Sequence, residues 1–173
     1  MENKNLSKFL ETISGKWIAI GGNRWIDSKT SKKINFIVKK LIKLKCKIVT
    51  GGAEGTDHVV MKSCLKCKIP KNNLKVFLPF TIEKQYQYES KLEGNKKIKI
   101  LLNTLLKIKK YYPNSITENK HKFKNYRKAA DFRNSLIVKR ADGAIIFKPQ
   151  NSIGTLDALN KIKKKEIPYV IFK

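Results

Sequence analysis

The 173-residue chain carries 39 lysine and arginine residues against 13 aspartate and glutamate residues, a formal net charge of +26 at pH 7. No apolar run approaches the ~18 residues of a membrane-spanning helix, and residues 1–5 do not begin a secretory signal, so we expect a cytoplasmic protein. The charge predicts attraction to polyanions, above all nucleic acid. Only four of the basic residues are arginine, however, and the abundance of Lys, Ile and Asn is equally typical of a proteome-wide compositional bias.

The length predicts one domain, residues 1–173, and the chain begins with a polar arm, residues 1–14, that is a candidate helix. Residues 17–20, W-I-A-I, predict a first buried strand. The strand ends in the turn G-G-N-R-W, and Asp27 or Ser28 can cap the helix that follows. The turn supplies four candidate ligand-binding residues: Gly21, Gly22, Asn23 and Arg24.

A second strand, turn and helix follow. Residues 47–50 are a β-branched run typical of a buried strand, and the turn G-G-A-E-G-T-D ends in Thr56 and Asp57, which can cap the next helix. A glycine-rich turn at a helix N-terminus presents unpaired N–H groups and the positive end of the helix dipole, which suits a phosphate. A plain connecting turn is the alternative. The candidate residues are Gly51, Gly52, Ala53, Glu54, Gly55, Thr56 and Asp57.

Residues 74–80 predict a third strand, after which residues 81–128 interrupt the regular pattern. One helix is predicted over residues 98–108, and residues 91–128 contain twelve Lys or Arg and two Glu, interleaved with aromatic residues. Lysines and rings together are what a single-stranded nucleic-acid surface needs. The alternative, which we favour, is a basic helical insertion whose rings pack inward. The aromatic residues are Tyr111, Tyr112, Phe123 and Tyr126.

The regular pattern returns with a helix over residues 129–141, a strand over residues 144–147 and a turn at residues 150–155. A fifth helix and a last strand, residues 168–172, complete the chain. Five strands separated by helices predict an α/β fold with a parallel sheet and right-handed crossovers. The candidate ligand-binding residues of this part are Arg133, Asn134, Gly154 and Thr155.

The three turns converge if the strand order is 3-2-1-4-5, because ligands bind such sheets at the carboxyl ends of the strands, where the order reverses. Arg24 and Arg133 are the first candidates for anion contacts, since a planar guanidinium meets a phosphate at two points. Surface salt bridges are the alternative for both. Three cysteines and two distant histidines form no metal-ligand pattern, so we expect no metal.

Three motifs carry a family resemblance. T-G-G-A-E-G-T-D at residues 50–57 resembles the G-x-A-x-G-x-D signature of the DprA and YspA-like branches of the SLOG superfamily. R-N at residues 133–134 resembles their R-N pair. A-D at residues 141–142, followed by an apolar strand and G-T at residues 154–155, resembles a further element of the superfamily.

The resemblance covers residues 17–80 and 129–172 and leaves the insertion outside. It implies a Rossmann-like three-layer sandwich with a five-stranded sheet. It also implies a nucleotide or nucleoside phosphate bound over the strand ends, and association into a homo-oligomer. No cofactor beyond such a ligand is implied.

The chain departs from the LOG enzymes of the same superfamily, since residues 149–158 lack the paired glycines of the LOG motif and contain one extra residue. Their motif P-G-G-x-G-T-x-x-E ends in a glutamate that acts at the ribosyl bond, whereas here Ala158 stands at that position. Asp57 is the remaining candidate catalytic acid. Alternatively, Asp57 accepts a hydrogen bond from a ribose hydroxyl or serves at the start of the helix. We therefore expect a nucleotide-binding protein first, a DprA-like binder of single-stranded DNA second, and a LOG-type N-glycosidic hydrolase third.

Overall fold

The computed structural model describes residues 4–93, 95–147 and 152–172 of the chain. Residues 148–151, with part of the predicted third turn, lie outside the described residues, as do residues 1–3 of the predicted arm. In the described ranges, no helix is both long and apolar enough to cross a membrane. The helices are α1 (Lys4–Glu11), α2 (Ser28–Lys43), α3 (Thr56–Lys66), α4 (Ile82–Glu93), α5 (Asn95–Tyr111), α6 (Tyr126–Arg140) and α7 (Ile153–Lys164). The strands are β1 (Trp17–Gly22), β2 (Lys47–Gly51), β3 (Leu74–Phe77), β4 (Ile116–Thr117), β5 (Gly143–Phe147) and β6 (Tyr169–Phe172).

The described strands form one parallel sheet in the order β4-β3-β2-β1-β5-β6. The predicted order 3-2-1-4-5 is confirmed for the five strands that the sequence indicates. The prediction of five strands is wrong by one, because Ile116 and Thr117, inside the predicted helical insertion, pair with Val76 and Phe77 as an edge strand. A strand of two residues is too short for the apolar alternation by which strands are recognised.

Successive side chains of β1 enter two different cores, as the period of a strand requires. Ile18 and Ile20 belong to the larger core, which α1, α2, α3 and α5 cover. Trp17 and Ala19 belong to the smaller core, to which α6 and α7 contribute Val138 and Ile162. The sheet is therefore the middle layer of a three-layer α/β sandwich, as predicted.

Helix α1 is not the polar arm that composition suggests. Leu6 and Phe9 are buried in the larger core, at a spacing that places them on one helical face, and Ile13, just after the helix, is buried in the same core. Burying each such side chain stabilises the fold by about 1.5–3 kcal/mol relative to leaving it in water. The described part of the arm is thus a structural element.

The predicted insertion is joined to the sandwich by polar contacts as well as by strand β4. His58 of α3 lies buried between the two parts of the fold, with Nδ1 2.8 Å from Glu54 Oε2 and Nε2 3.1 Å from Thr104 Oγ1 of α5. The backbone N–H of Leu78 donates to the carbonyl of Thr117 at 2.9 Å. Helix α5 is accordingly part of the layer that covers the larger core.

Gly55 determines how the second turn enters α3. It is the N-cap of that helix, with φ 89°, and it makes no side-chain cap hydrogen bond. The prediction that Thr56 or Asp57 caps α3 is wrong, because both are already helical. A Cβ on Gly55 would overlap the backbone carbonyl of Arg24. Glycine is therefore required here by the positive φ and by the close approach of the first turn.

We expect Gly55→Ala to lower the free energy of unfolding by about 2 kcal/mol or more, because it combines a left-handed backbone with a steric overlap. Urea denaturation followed by circular dichroism measures the change. Gly154→Ala is the matched control, since a Cβ there meets no described atom within 4 Å. Equal midpoints for the two variants would contradict this account of the turn.

Candidate functional site

The first two glycine turns and helices α6 and α7 border a cavity of about 220 Å³ at the carboxyl ends of the central strands. The cavity lies beside β1 and β5, where the strand order reverses, which is the location that the turns predict. Most of the predicted ligand-binding residues lie on its wall. They are Gly21, Gly22, Arg24, Gly51, Ala53, Glu54, Asp57, Arg133, Asn134, Gly154 and Thr155.

Four predicted residues, Asn23, Gly52, Gly55 and Thr56, do not line the cavity, and they contact the other turn or the neighbouring core. Thr56 donates from its backbone N–H (3.1 Å) and its hydroxyl (3.0 Å) to the carbonyl of Asn23. Gly52 lies where a Cβ would overlap the side chain of Leu78, and Gly55 lies against the carbonyl of Arg24. These residues hold the turns together and shape the cavity from behind.

Arg24 is anchored to helix α4 by a buried carboxylate. Its Nη1 contacts Oε2 of Glu89, and its Nη2 lies 3.2 Å from Oε1 of the same residue. The Glu89 side chain has 0% of its surface exposed. Gln85, one turn earlier in α4, donates to Glu89 Oε1 at 2.8 Å and to the carbonyl of Gly52 at 3.4 Å. The guanidinium plane of Arg24 is therefore oriented by the protein, with its partner in the interior and not among surface acids.

Arg133 of α6 is buried opposite Asp57, with Nη1 3.5 Å from Oδ2. This is a long contact for a charged pair. The Nε of Arg133 is buried and has no hydrogen-bond partner among the described residues. A Cβ on Gly51 would overlap the Arg133 guanidinium and the Asp57 carboxylate, so only glycine allows this approach. The guanidinium of Arg133 therefore keeps, beside the cavity, an N–H donor at Nε from which no described residue accepts.

Burial raises the pKa of the Asp57 carboxyl above its ordinary value, although Arg133 and the N–H of Ala53 act in the opposite direction. The Thr50 hydroxyl also lies 3.2 Å from Oδ1 of Asp57. Burial likewise raises the pKa of Glu89, against the effect of Arg24. Each arginine of the site thus has a carboxylate partner whose charged form is costly in this environment.

Asn134 joins α6 to α7 at the third turn. Its side-chain amide donates to the carbonyl of Gly154 at 3.0 Å and to Oδ2 of Asp157 at 2.9 Å. Thr155 donates its hydroxyl to the Ser152 side chain at 2.8 Å, and Ser152 caps α7. Gln150 and Asn151 of the predicted third turn lie outside the described residues.

Sequence reasoning missed Glu89 and much of the apolar wall. Tyr126 lies on the wall and stacks on Tyr88 with ring centroids 3.6 Å apart. Ala158, at the position of the LOG glutamate, faces the same cavity. For the apolar residues on α6 and α7, the helical periods of these helices are the signal that could have indicated them. On these two helices the apolar residues are Ala130, Ile137, Val138 and Ile162, whereas Ala19, Ile20 and Ile146 lie in the predicted strands β1 and β5.

The part of the chain that the structure describes contains no group of three or more His, Cys, Asp or Glu side chains suited to a metal ion. Cys64 is buried and burial raises the pKa of its thiol, which is typical of a structural cysteine. Cys67 follows at the end of α3. Neither cysteine of the C-x-x-C pair lines the cavity.

We expect Asp57→Asn to change how stability depends on pH. The raised pKa means that the folded state holds this proton more tightly than the unfolded chain does, so wild-type stability falls as pH rises from 3.8, the ordinary value, through the folded-state value. Asparagine does not titrate, so Tm of the variant minus Tm of the wild type should become more positive with rising pH. Melting curves from pH 4 to pH 8 measure it, with Asp131→Asn, outside the cavity, as control. A difference that is constant with pH would contradict the burial of Asp57.

The comparisons with known proteins agree with this architecture. The fold is similar to that of DNA processing protein A from Helicobacter pylori, reported with a single-stranded DNA binding mode, with TM-score 0.66, 18% identity, and coverage of 95% of this chain and 67% of that one. It is also similar to DNA processing protein A (DprA) from Streptococcus pneumoniae, with TM-score 0.60, 18% identity, and coverage of 95% of this chain and 51% of that one. The chain thus spans about two thirds and about half of these proteins.

No curated protein matches the sequence. A family model described as DNA recombination-mediator protein A matches residues 9–167. This match runs through residues 81–128, which the motif resemblance left outside. The chain therefore belongs to the DNA recombination-mediator protein A family, the DprA branch of the SLOG superfamily.

Proposed function

We propose that this chain binds single-stranded DNA across the carboxyl ends of its central strands, with strand phosphates at Arg133 and Arg24. The observation that carries the proposal is the buried Arg133 fork beside the cavity, whose Nε has no hydrogen-bond partner among the described residues. A buried guanidinium donor favours an acceptor, and a phosphate offers two oxygens in the matching plane.

Two further observations favour a strand over a free nucleotide. The cavity, at about 220 Å³, is smaller than the roughly 300–1,000 Å³ typical of sites that enclose a small ligand, so it suits part of a longer molecule. The net charge of +26 supplies the long-range attraction that a polyanion exploits. Family membership and the reported DNA binding of the Helicobacter pylori relative support the same partner.

A nucleoside phosphate is the second candidate ligand, and one observation favours it. The cavity has a polar side at the two arginines and an apolar side that includes Ile137, Ile146 and Ile162. This division would suit a phosphate at one end and a base at the other. Hydrolysis through Asp57 and association into homo-oligomers stay predictions from the resemblance.

The first test measures affinity for a fluorescent single-stranded oligonucleotide by anisotropy over a series of salt concentrations. Arg133→Gln retains a hydrogen-bonding group toward Asp57 but removes the charge. We expect about 10-fold weaker binding and a slope of log K against log salt that is shallower by about 0.7, the contribution of one phosphate.

Arg127→Gln is the matched control, because it removes the same charge from an exposed residue of α6 that does not line the cavity. We expect it to bind nearly as tightly as the wild type. If the two variants lose affinity equally, the interaction is diffuse and the Arg133 site is wrong. Circular dichroism verifies that both variants are folded.

The second test separates the two ligands by thermal stability, since a ligand that binds only the folded state raises Tm by mass action. We expect an oligonucleotide to raise Tm of the wild type at low salt and to lose most of this effect at high salt. Nucleoside mono- and triphosphates should raise it little. A salt-resistant increase with a mononucleotide, abolished by Arg133→Gln, would replace DNA with a nucleotide as the ligand.

A further inference from the structure

Trp25 is the most exposed large hydrophobic side chain among the described residues, at 66% of its surface. It follows Arg24 in the loop between β1 and α2, at the same edge of the sheet as the cavity. Isolated apolar residues on a surface need no explanation. Trp25 is not isolated, because it forms one wall of a second cavity.

This second cavity, of about 270 Å³, adjoins the first. Arg24 and Glu54 line both, so the two cavities share a wall at the edge of the sheet. Ile26 and Val59 give the second cavity an apolar side next to the indole of Trp25. An aromatic face, apolar contacts and an adjacent arginine are therefore brought together within reach of one nucleotide.

Lys97 of α5 places a cation at this cavity. Its Nζ lies 5.4 Å from the centroid of the Trp25 ring. The acidic residues nearby have partners within the protein: Asp27 accepts from the N–H of Thr30 at 2.7 Å, and Glu54 pairs with His58. The second cavity thus combines a ring with a lysine whose side chain is flexible enough to follow a phosphate.

We infer that Trp25 and Lys97 form a base-stacking subsite for single-stranded DNA, next to the phosphate contacts of Arg24 and Arg133. One base stacks on the exposed indole face, and Lys97 contacts the phosphate that follows it. Alternation of cations and ring faces is how proteins bind single strands without reading their sequence. This inference rests on the proposed function and adds a position at which an unpaired base is required.

The two tryptophans of the chain allow a direct test, because Trp17 is buried at 9% exposure whereas Trp25 is exposed. In Trp17→Phe, emission comes from Trp25 alone. We expect oligothymidylate to quench this emission at saturation. An oligomer of equal length built from abasic sites should bind through its phosphates without quenching the Trp25 emission. Anisotropy measures this binding. In the wild-type chain, oligothymidylate should quench part of the total emission and the abasic oligomer none. This measurement replaces the first if Trp17→Phe does not fold.

Trp25→Leu measures the contribution to affinity. We expect about 10-fold weaker binding of oligothymidylate, the size of one lost base stack, with the salt dependence unchanged because no charge is removed. Phe36→Leu is the matched control, since Phe36 is 51% exposed and also has a lysine over its ring, Lys40 at 4.8 Å, but lines neither cavity. It should bind like the wild type.

The outcomes separate this inference from the proposed function. Wild-type protein that shows no anisotropy change with any oligonucleotide at low salt overturns both. Binding without quenching of Trp25, or with equal affinity in Trp25→Leu and wild type, overturns the stacking subsite and leaves the arginine contacts standing. Quenching by duplex DNA as strong as that by the single strand also overturns it, because paired bases are not available to stack.

Discussion

The ion pair between Arg24 and Glu89 is the contact on which the carboxyl edge of the sheet depends. It joins the first turn to α4 across 65 positions of sequence, with the Glu89 side chain wholly buried. Removing one partner of a buried pair leaves an uncompensated charge, which costs about 3–5 kcal/mol. Gln85 connects the same carboxylate to the carbonyl of Gly52. The first turn, the second turn and α4 are therefore positioned by one network, and α4 belongs to the site.

The sheet was predictable because its five longer strands are short apolar runs between glycine or proline turns. Strand β4 was not, since two residues carry no alternation. The first two turns were also located correctly, but the physical reason for the glycines of the second turn is different from the one that the sequence indicates. Gly51 leaves room for the Arg133 guanidinium and Gly55 for the carbonyl of Arg24. The sequence pattern of a glycine-rich turn is the same whether a ligand or another part of the protein fills the space that a Cβ would occupy.

The candidate site was predictable only in part, for a related reason. The turns are recognisable by their glycines, and arginine is rare in this lysine-rich chain, so Arg24 in the first turn and Arg133 in α6 could be selected without a structure. Glu89 could not, because it lies in a segment of weak helical period and its partner is distant in sequence. The stacking of Tyr126 on Tyr88 is hidden in the same way. Local sequence patterns indicate which face of a helix or strand is apolar. They do not indicate which buried charged side chains form pairs.

Acidic residues beside a site proposed for phosphates look contradictory in a chain of net charge +26. The explanation is desolvation, because a guanidinium taken out of water needs a counter-charge, and before a ligand binds only the protein can provide it. Asp57 and Glu89 do so, although burial raises the pKa of both. In the proposed function, a phosphate meets guanidinium donors that these carboxylates have already oriented, which lowers the entropic cost of binding. The surface lysines attract any polyanion, whereas the oriented arginines favour one position of the strand. Selectivity for that position then resides in Arg24 and Arg133 with their carboxylate partners, and not in the net charge.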